Sequence, residues 1–137
     1  MRTLIACLLA ILTVTANVLS HERREIDGMQ VVFGGEPEPV LDGELQFLRW
    51  RLTELENKQP VTDLQEVQAK IRFDGKEFGP FEARSSRQDP GMYQTHHVFT
   101  KAGEGEATLT FKREGKNEPL SLTVPFRVVS RKSIEIL

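Results

Sequence analysis

Two adjacent histidines, His96 and His97, follow Met92 in the stretch RQDPGMYQTHHVFTKAGEGEATLTF. The remaining histidine, His21, stands far upstream. Imidazole nitrogens suit Cu(II), and a thioether sulfur suits Cu(I). In a mature chain that begins at His21, the free amine and the imidazole would chelate one Cu(II) together. A third nitrogen from His96 or His97 would complete a T-shaped brace, and Met92 would offer a soft ligand. Neighbouring residues on a strand point to opposite faces, so His96 and His97 cannot share one ion without a bulge. Met92, Gln94, His96 and Val98 take one side, and Tyr93, Thr95, His97 and Phe99 the other. If Tyr93 and Phe99 face the core, His97 lies near it and His96 is exposed. The plain alternative is one surface histidine and one half-buried, hydrogen-bonded histidine, with no cofactor.

Whether His21 becomes a terminus depends on the first twenty residues, MRTLIACLLAILTVTANVLS. Arg2 supplies a positive start, Leu4 to Val14 an almost unbroken apolar run, and small residues follow. This is the pattern of a secretory signal peptide over 1–20, read as a helix, with the mature domain over 21–137. Val14 and Ala16 fit cleavage after Ala16, and Val18 and Ser20 fit cleavage after Ser20. The rival is an uncleaved anchor, the one route to membrane association, but the run falls short of the roughly 20 residues a spanning helix needs. Cys7 is the only cysteine. In LIAC it looks like a lipid-attachment box, yet it opens the apolar run instead of closing it. Its removal leaves a mature domain with no disulfide and no thiolate chemistry. A secreted or periplasmic location follows from the signal pattern. CopC-like copper carriers and lytic polysaccharide monooxygenases use an N-terminal histidine of this kind; this chain is too short for the latter and lacks CopC-like sequence beyond the sandwich class.

Other chemistries find little support. The 137 residues carry a net charge of −2, without the basic surplus of a nucleic-acid binder. No serine sits in a G-x-S-x-G elbow, no H-E-x-x-H occurs, and no glycine loop is built to cradle phosphate. Glu36 and Glu38 flank prolines. Glu104 and Glu106 flank Gly105 in what reads as a turn, where carboxylates are ordinarily solvated. Arg49 and Arg51 alternate on one strand face, as a basic stripe for an anionic partner or as stems lying over a sheet. The expectation is a non-catalytic module that binds an unknown partner protein or small ligand.

The elements that position these residues are strands. Alternation with period two runs through Leu120–Val128, Ala107–Lys112, Val67–Phe73, Leu45–Leu52, Met29–Phe33 and Met92–Phe99. Leu120, Leu122, Val124, Phe126 and Val128 share one face; Pro125 points outward and marks an edge or a bulge. Asp74-Gly75 reads as a tight hairpin turn. Pro37 and Pro39 make EPEPVL an extended connector. TDLQEVQAK offers a helical turn capped by Thr62 or Asp63, set against the strand already read from Val67. SRKSIEIL is a frayed tail or a short edge strand. About seven short strands imply an all-β fold, an immunoglobulin-like antiparallel β-sandwich.

Asp89, Gly91 and Tyr93 fit the D-x-G-x-Y spacing of a tyrosine corner, in which the hydroxyl bonds backbone a few residues upstream. Pro90-Gly91 suits the centre of a type II turn. The run NKQPVTDLQEVQAKI resembles the G-K-P-V opening of YtkA-like and FixH-like extracytoplasmic domains. DPGMY…VFTKAGEGEATLTF is similar to their G-x-Y…G-x-W-x-L-x-V segment, and PFRV to their closing strand. The resemblance spans about Leu45 to Val129. It implies an immunoglobulin-like sandwich outside the cytoplasm, linked to copper handling or oxidase assembly. The chain departs from the pattern in lacking Met and His from Gln65 to Gly91.

Overall fold

The computed structural model describes residues 21–134. The expected signal helix over 1–20 lies outside the described residues. Ten strands follow in order: β1 (His21–Ile26), β2 (Met29–Glu36), β3 (Val40–Leu41), β4 (Leu45–Glu54), β5 (Leu64–Phe73), β6 (Lys76–Glu82), β7 (Arg84–Ser85), β8 (Met92–Val98), β9 (Gly103–Arg113) and β10 (Leu120–Val129). They form two five-stranded sheets, β1-β2-β4-β8-β7 and β3-β10-β9-β5-β6. Among the described residues no helix is long and apolar enough to cross a membrane.

The connectivity is immunoglobulin-like. Strands β2, β4, β8 and β7 occupy the A, B, E and D places of one sheet, and β10, β9 and β5 the G, F and C places of the other. All pairings are antiparallel except β3 on β10, where Val40 and Leu41 face Val128 and Val129. The core follows the alternation. Leu48, Trp50 and Leu52 from β4 meet Ala69, Ile71 and Phe73 from β5 and Ala107, Leu109 and Phe111 from β9, all buried. Outside β9 and β10, hydroxyl pairs Thr108–Thr123 and Thr110–Ser121, each 2.8 Å, hold the register.

Several expectations need correcting. Among the described residues the strands number ten, where about seven were read. Strand β1 went unread because HERREI alternates charge as much as hydropathy. Its turn, Asp27-Gly28, has positive φ at both positions (48° and 74°), as does Asp74-Gly75 (54° and 70°). Both suit a two-residue hairpin whose twist matches the strands. Over TDLQEVQAK the strand read from Val67 holds and the alternative helical turn does not form: the strand starts at Leu64, with a bulge between Gln65 and Gln68 and Glu66 at φ 51°. The C-terminal stretch is neither tail nor edge strand as far as it is described. Arg131–Ile134 form a 3-10 turn, started by an Arg131 N–H bond to Asp42 Oδ1 (2.8 Å).

Candidate functional site

The histidines take the two faces that alternation assigns. Tyr93, Thr95 and Phe99 are buried, His97 is half-buried and His96 is exposed. The His97 ring is wedged between sheets, 4.8 Å from Phe78, 6.0 Å from Phe81 and 4.8 Å from Phe99. Burial, and secondly the neighbouring His96, pull its imidazole below the ordinary range. On the outer face His96 leans edge-on to Phe47 at 6.2 Å. Beside that pair the exposed Leu45 (51 %) and Val98 (48 %) stand opposite each other.

The copper donors expected from the sequence are spread out. His21 pairs with Gly34, Gly34 with Arg49 and Arg49 with Gln94. Three strand spacings therefore separate the His21 backbone from β8, about 14 Å of sheet. Met92 and His96 share a face but lie four residues apart, about 13 Å along the strand. His97 is on the other face. Among the described residues no three His, Cys, Asp or Glu side chains gather to hold a metal. His97, on the opposite face of β8, does not join Met92 and His96 on one ion.

The D-P-G-M-Y segment does different work from the corner expected of it. Met92 N–H bonds the Asp89 carbonyl at 3.2 Å and Gly91 has φ 85°, so the turn forms. Tyr93, however, opens the E-type strand β8, where a tyrosine corner would need the F-type strand. Its hydroxyl donates to the Val61 carbonyl (3.2 Å), thirty-two residues upstream, in the connection between β4 and β5. Burial, helped by Asp63, pushes the phenol up. Asp89 holds Arg51 through two bonds of 2.7 and 2.5 Å. That bond first, and the charge of Arg51 behind it, keep the carboxyl below its usual range. Arg49 lies over Phe47 at 5.9 Å and beside Glu36 at 3.6 Å. The two arginines read as a basic stripe are thus occupied by local acids.

A concave feature among the described residues lies elsewhere. A cleft of about 730 Å³ opens where β1, β2 and β3 approach β5, β9 and β10. Its floor is Phe126 and Phe33, 6.2 Å apart, with Val40, Pro39 and Pro125 beside them. Phe126 is itself seated against Phe99 (5.4 Å) and stacked on Phe73 (6.3 Å, 13° between planes). Charged residues also contribute to the lining, among them Glu22 and Asp74, while Glu104 and Glu106 flank Gly105 with their side chains on the outer face of β9.

Glycine shapes this cleft. A Cβ on Gly105 would lie 2.6 Å from the Phe126 ring and 2.9 Å from the Arg72 carbonyl oxygen. One on Gly35 would collide with the Val40 side chain. Glu104-Gly105-Glu106 is therefore strand and not the turn read from sequence, because the bare backbone at Gly105 admits the ring of Phe126. Alternation along LSLTVPFRV placed Phe126 on the inner face but could not show that β10 has no neighbour there. Only Val128 and Val129 pair with β3, so the segment carrying Pro125 and Phe126 is an open edge. Sequence reading also missed Gln46, fully buried opposite His97. Among the described residues its amide has no hydrogen-bond partner, an arrangement that costs about 1–3 kcal/mol. No contact in the structure accounts for it.

Comparison with known proteins is confined to fold. No family model matches the chain, and no curated protein does. Among solved structures, a DUF4426 family protein from Pseudomonas aeruginosa is similar with a TM-score of 0.59 at 11 % identity, over 79 % of this chain and 94 % of that one. A copper-bound variant of FetP from uropathogenic Escherichia coli is similar with a TM-score of 0.61 at 13 % identity, over 86 % and 96 %. FetP as isolated after expression in the Escherichia coli periplasm gives 0.59 at 13 %, over 79 % and 93 %. At these identities the likeness establishes the β-sandwich architecture that this chain shares with them.

Proposed function

We propose that the protein is a non-catalytic, extracytoplasmic binding module and that the cleft between the two sheets is its ligand seat. The observation that carries this reading is the cleft itself: an aromatic floor and two glycines whose bare backbone leaves room for its side chains. Its volume falls within the roughly 300–1,000 Å³ range of small-molecule sites, so a small ligand suits it better than a protein surface. The signal pattern over 1–20 supports export. An accessory role beside a membrane complex, as the resemblance to YtkA-like and FixH-like domains implies, belongs to the same reading. In a fragment screen followed by amide chemical shifts, binders should move Gly105, Phe126 and Val40. Binders that leave these fixed and move Leu45, Phe47 and Val98 on the outer face would reject the cleft as the seat.

A second reading, a copper carrier, draws on the fold shared with copper-bound FetP and on His21 as a terminus after cleavage at Ser20. The opposite facing of His96 and His97 weighs against a site that uses both. Intact mass of the exported protein fixes the terminus, and a Cu(II) titration follows. Weak or multiple binding, unchanged in His21→Ala, is the expected outcome. A tight one-to-one complex lost in His21→Ala would establish the carrier instead.

A further inference from the structure

Strand alternation decides which groups of the lining face the floor. Glu104 and Glu106 beside Gly105, and Arg127 beside Phe126, have their side chains on the outer faces of β9 and β10. Arg72, between the buried Ile71 and Phe73, is turned outward in the same way on β5. Of the other acids, Glu22 is paired with Arg24 (3.0 Å) and Asp74 with Lys101 (2.6 Å), and Glu38 is engaged as well. The floor itself is Phe126, Phe33 and Val40. A charged group laid on it would lose water without gaining a partner, which is costly. An uncharged body suits the floor.

The polar groups beside Phe126 belong to the backbone of β10. The Val129 carbonyl accepts the Asp42 N–H at 3.2 Å, so Val129 turns its backbone groups toward β3. Residues two apart on a strand turn theirs to the same side, so Arg127 and Pro125 do likewise. Pairing with β3 covers only Val128 and Val129. Among the described residues, therefore, no strand meets the Arg127 N–H or the Pro125 carbonyl. These two groups bracket Phe126, and both residues line the cleft although the Arg127 side chain points away from it. Pro125 has no N–H to continue a ladder. The edge thus offers one donor and one acceptor, the complement of a single amide and not of an extended peptide.

We infer that the cleft selects a small uncharged amide on an apolar body. The body seats on Phe126 and Phe33, the ligand carbonyl accepts from the Arg127 N–H, and the ligand N–H donates to the Pro125 carbonyl. This rests on the cleft being the ligand seat. The test uses three ligands of closely similar shape on the processed protein: 2-phenylacetamide, methyl phenylacetate and phenylacetate. The ester keeps the carbonyl but has no N–H, and phenylacetate is charged. The amide should bind about fivefold more tightly than the ester, a gap of about 1 kcal/mol for one hydrogen bond. Its amide chemical shifts should centre on Gly105, Phe126 and Arg127. Phenylacetate should leave those signals in place. Equal binding of amide and ester at these residues, or preference for phenylacetate there, would overturn the amide class and leave the cleft as the seat. Failure of all three ligands to move those residues in the folded protein would overturn both.

Discussion

Phe99→Ala is expected to lower the stability of the folded domain by about 3–5 kcal/mol, the range for removing a buried aromatic side chain. Phe99 is essentially inaccessible, and its ring joins three others: His97 at 4.8 Å, Phe73 at 5.1 Å and Phe126 at 5.4 Å. Its backbone carbonyl accepts the Gly43 amide at 2.7 Å, a bond that alanine keeps. The loss is therefore one of packing between the sheets. Thermal unfolding should shift down by roughly 10–20 °C for a domain of this size. A change below about 1 kcal/mol would mean that the aromatic array is not close-packed.

The same substitution changes the response to acid. In the intact protein His97 is held neutral by burial, and secondly by His96, so its folded pKa lies below its unfolded one. The unfolded chain takes up the proton more readily. This contribution to stability is full above the unfolded pKa, about 6.5, and declines as the pH falls from there towards the lower folded value. Without the Phe99 ring, water reaches His97 and its pKa returns towards the ordinary range. Denaturant titrations between about pH 7 and pH 5 should then show a shallower acid-side decline in Phe99→Ala than in the parent. An equal or steeper decline would show that Phe99 does not shield the imidazole.

Gly91→Ala is expected to cost on the order of 2–4 kcal/mol, from left-handed backbone strain and overpacking together. Gly91 has φ 85°. A Cβ there would lie 2.8 Å from the Leu52 carbonyl oxygen and 2.9 Å from Pro60 Cβ, so backbone would have to shift. The position is also a junction. Leu52 N–H bonds the Gly91 carbonyl (2.8 Å), and Val61 N–H bonds the Leu52 carbonyl (2.9 Å). The Tyr93 hydroxyl then bonds the Val61 carbonyl at 3.2 Å. Displacing the turn disturbs three segments that meet only in space. Equilibrium unfolding in urea checks this directly. A loss below about 1 kcal/mol would show that the turn relaxes freely and that the junction contributes little.

Much of the fold was legible because β side chains repeat every two residues, a property of the local backbone. That period sorted Leu48, Trp50 and Leu52 from Arg49 and Arg51. It set His97 inward and His96 outward, and it placed Phe126 with Val124 and Val128. Asp74-Gly75 announced its hairpin because few residues tolerate positive φ at both turn positions. The matching Asp27-Gly28 pair carried the same signal for β1 and was passed over because HERREI is so charged.

What the chain alone could not disclose is which strands become neighbours. Alternating strands are nearly interchangeable as pairing partners by local criteria, and the choice among them is settled by packing across the whole molecule. The fold therefore decided that Tyr93 reaches Val61, that Asp89 takes Arg51, and that three strand spacings separate His21 from His96. It also decided that β10 has an open edge beside β1 and β2, where Phe126 and Phe33, far apart in the chain, form one floor. Side-chain direction is a local matter, written residue by residue; convergence is a long-range one, and the cleft exists only once both sheets have closed.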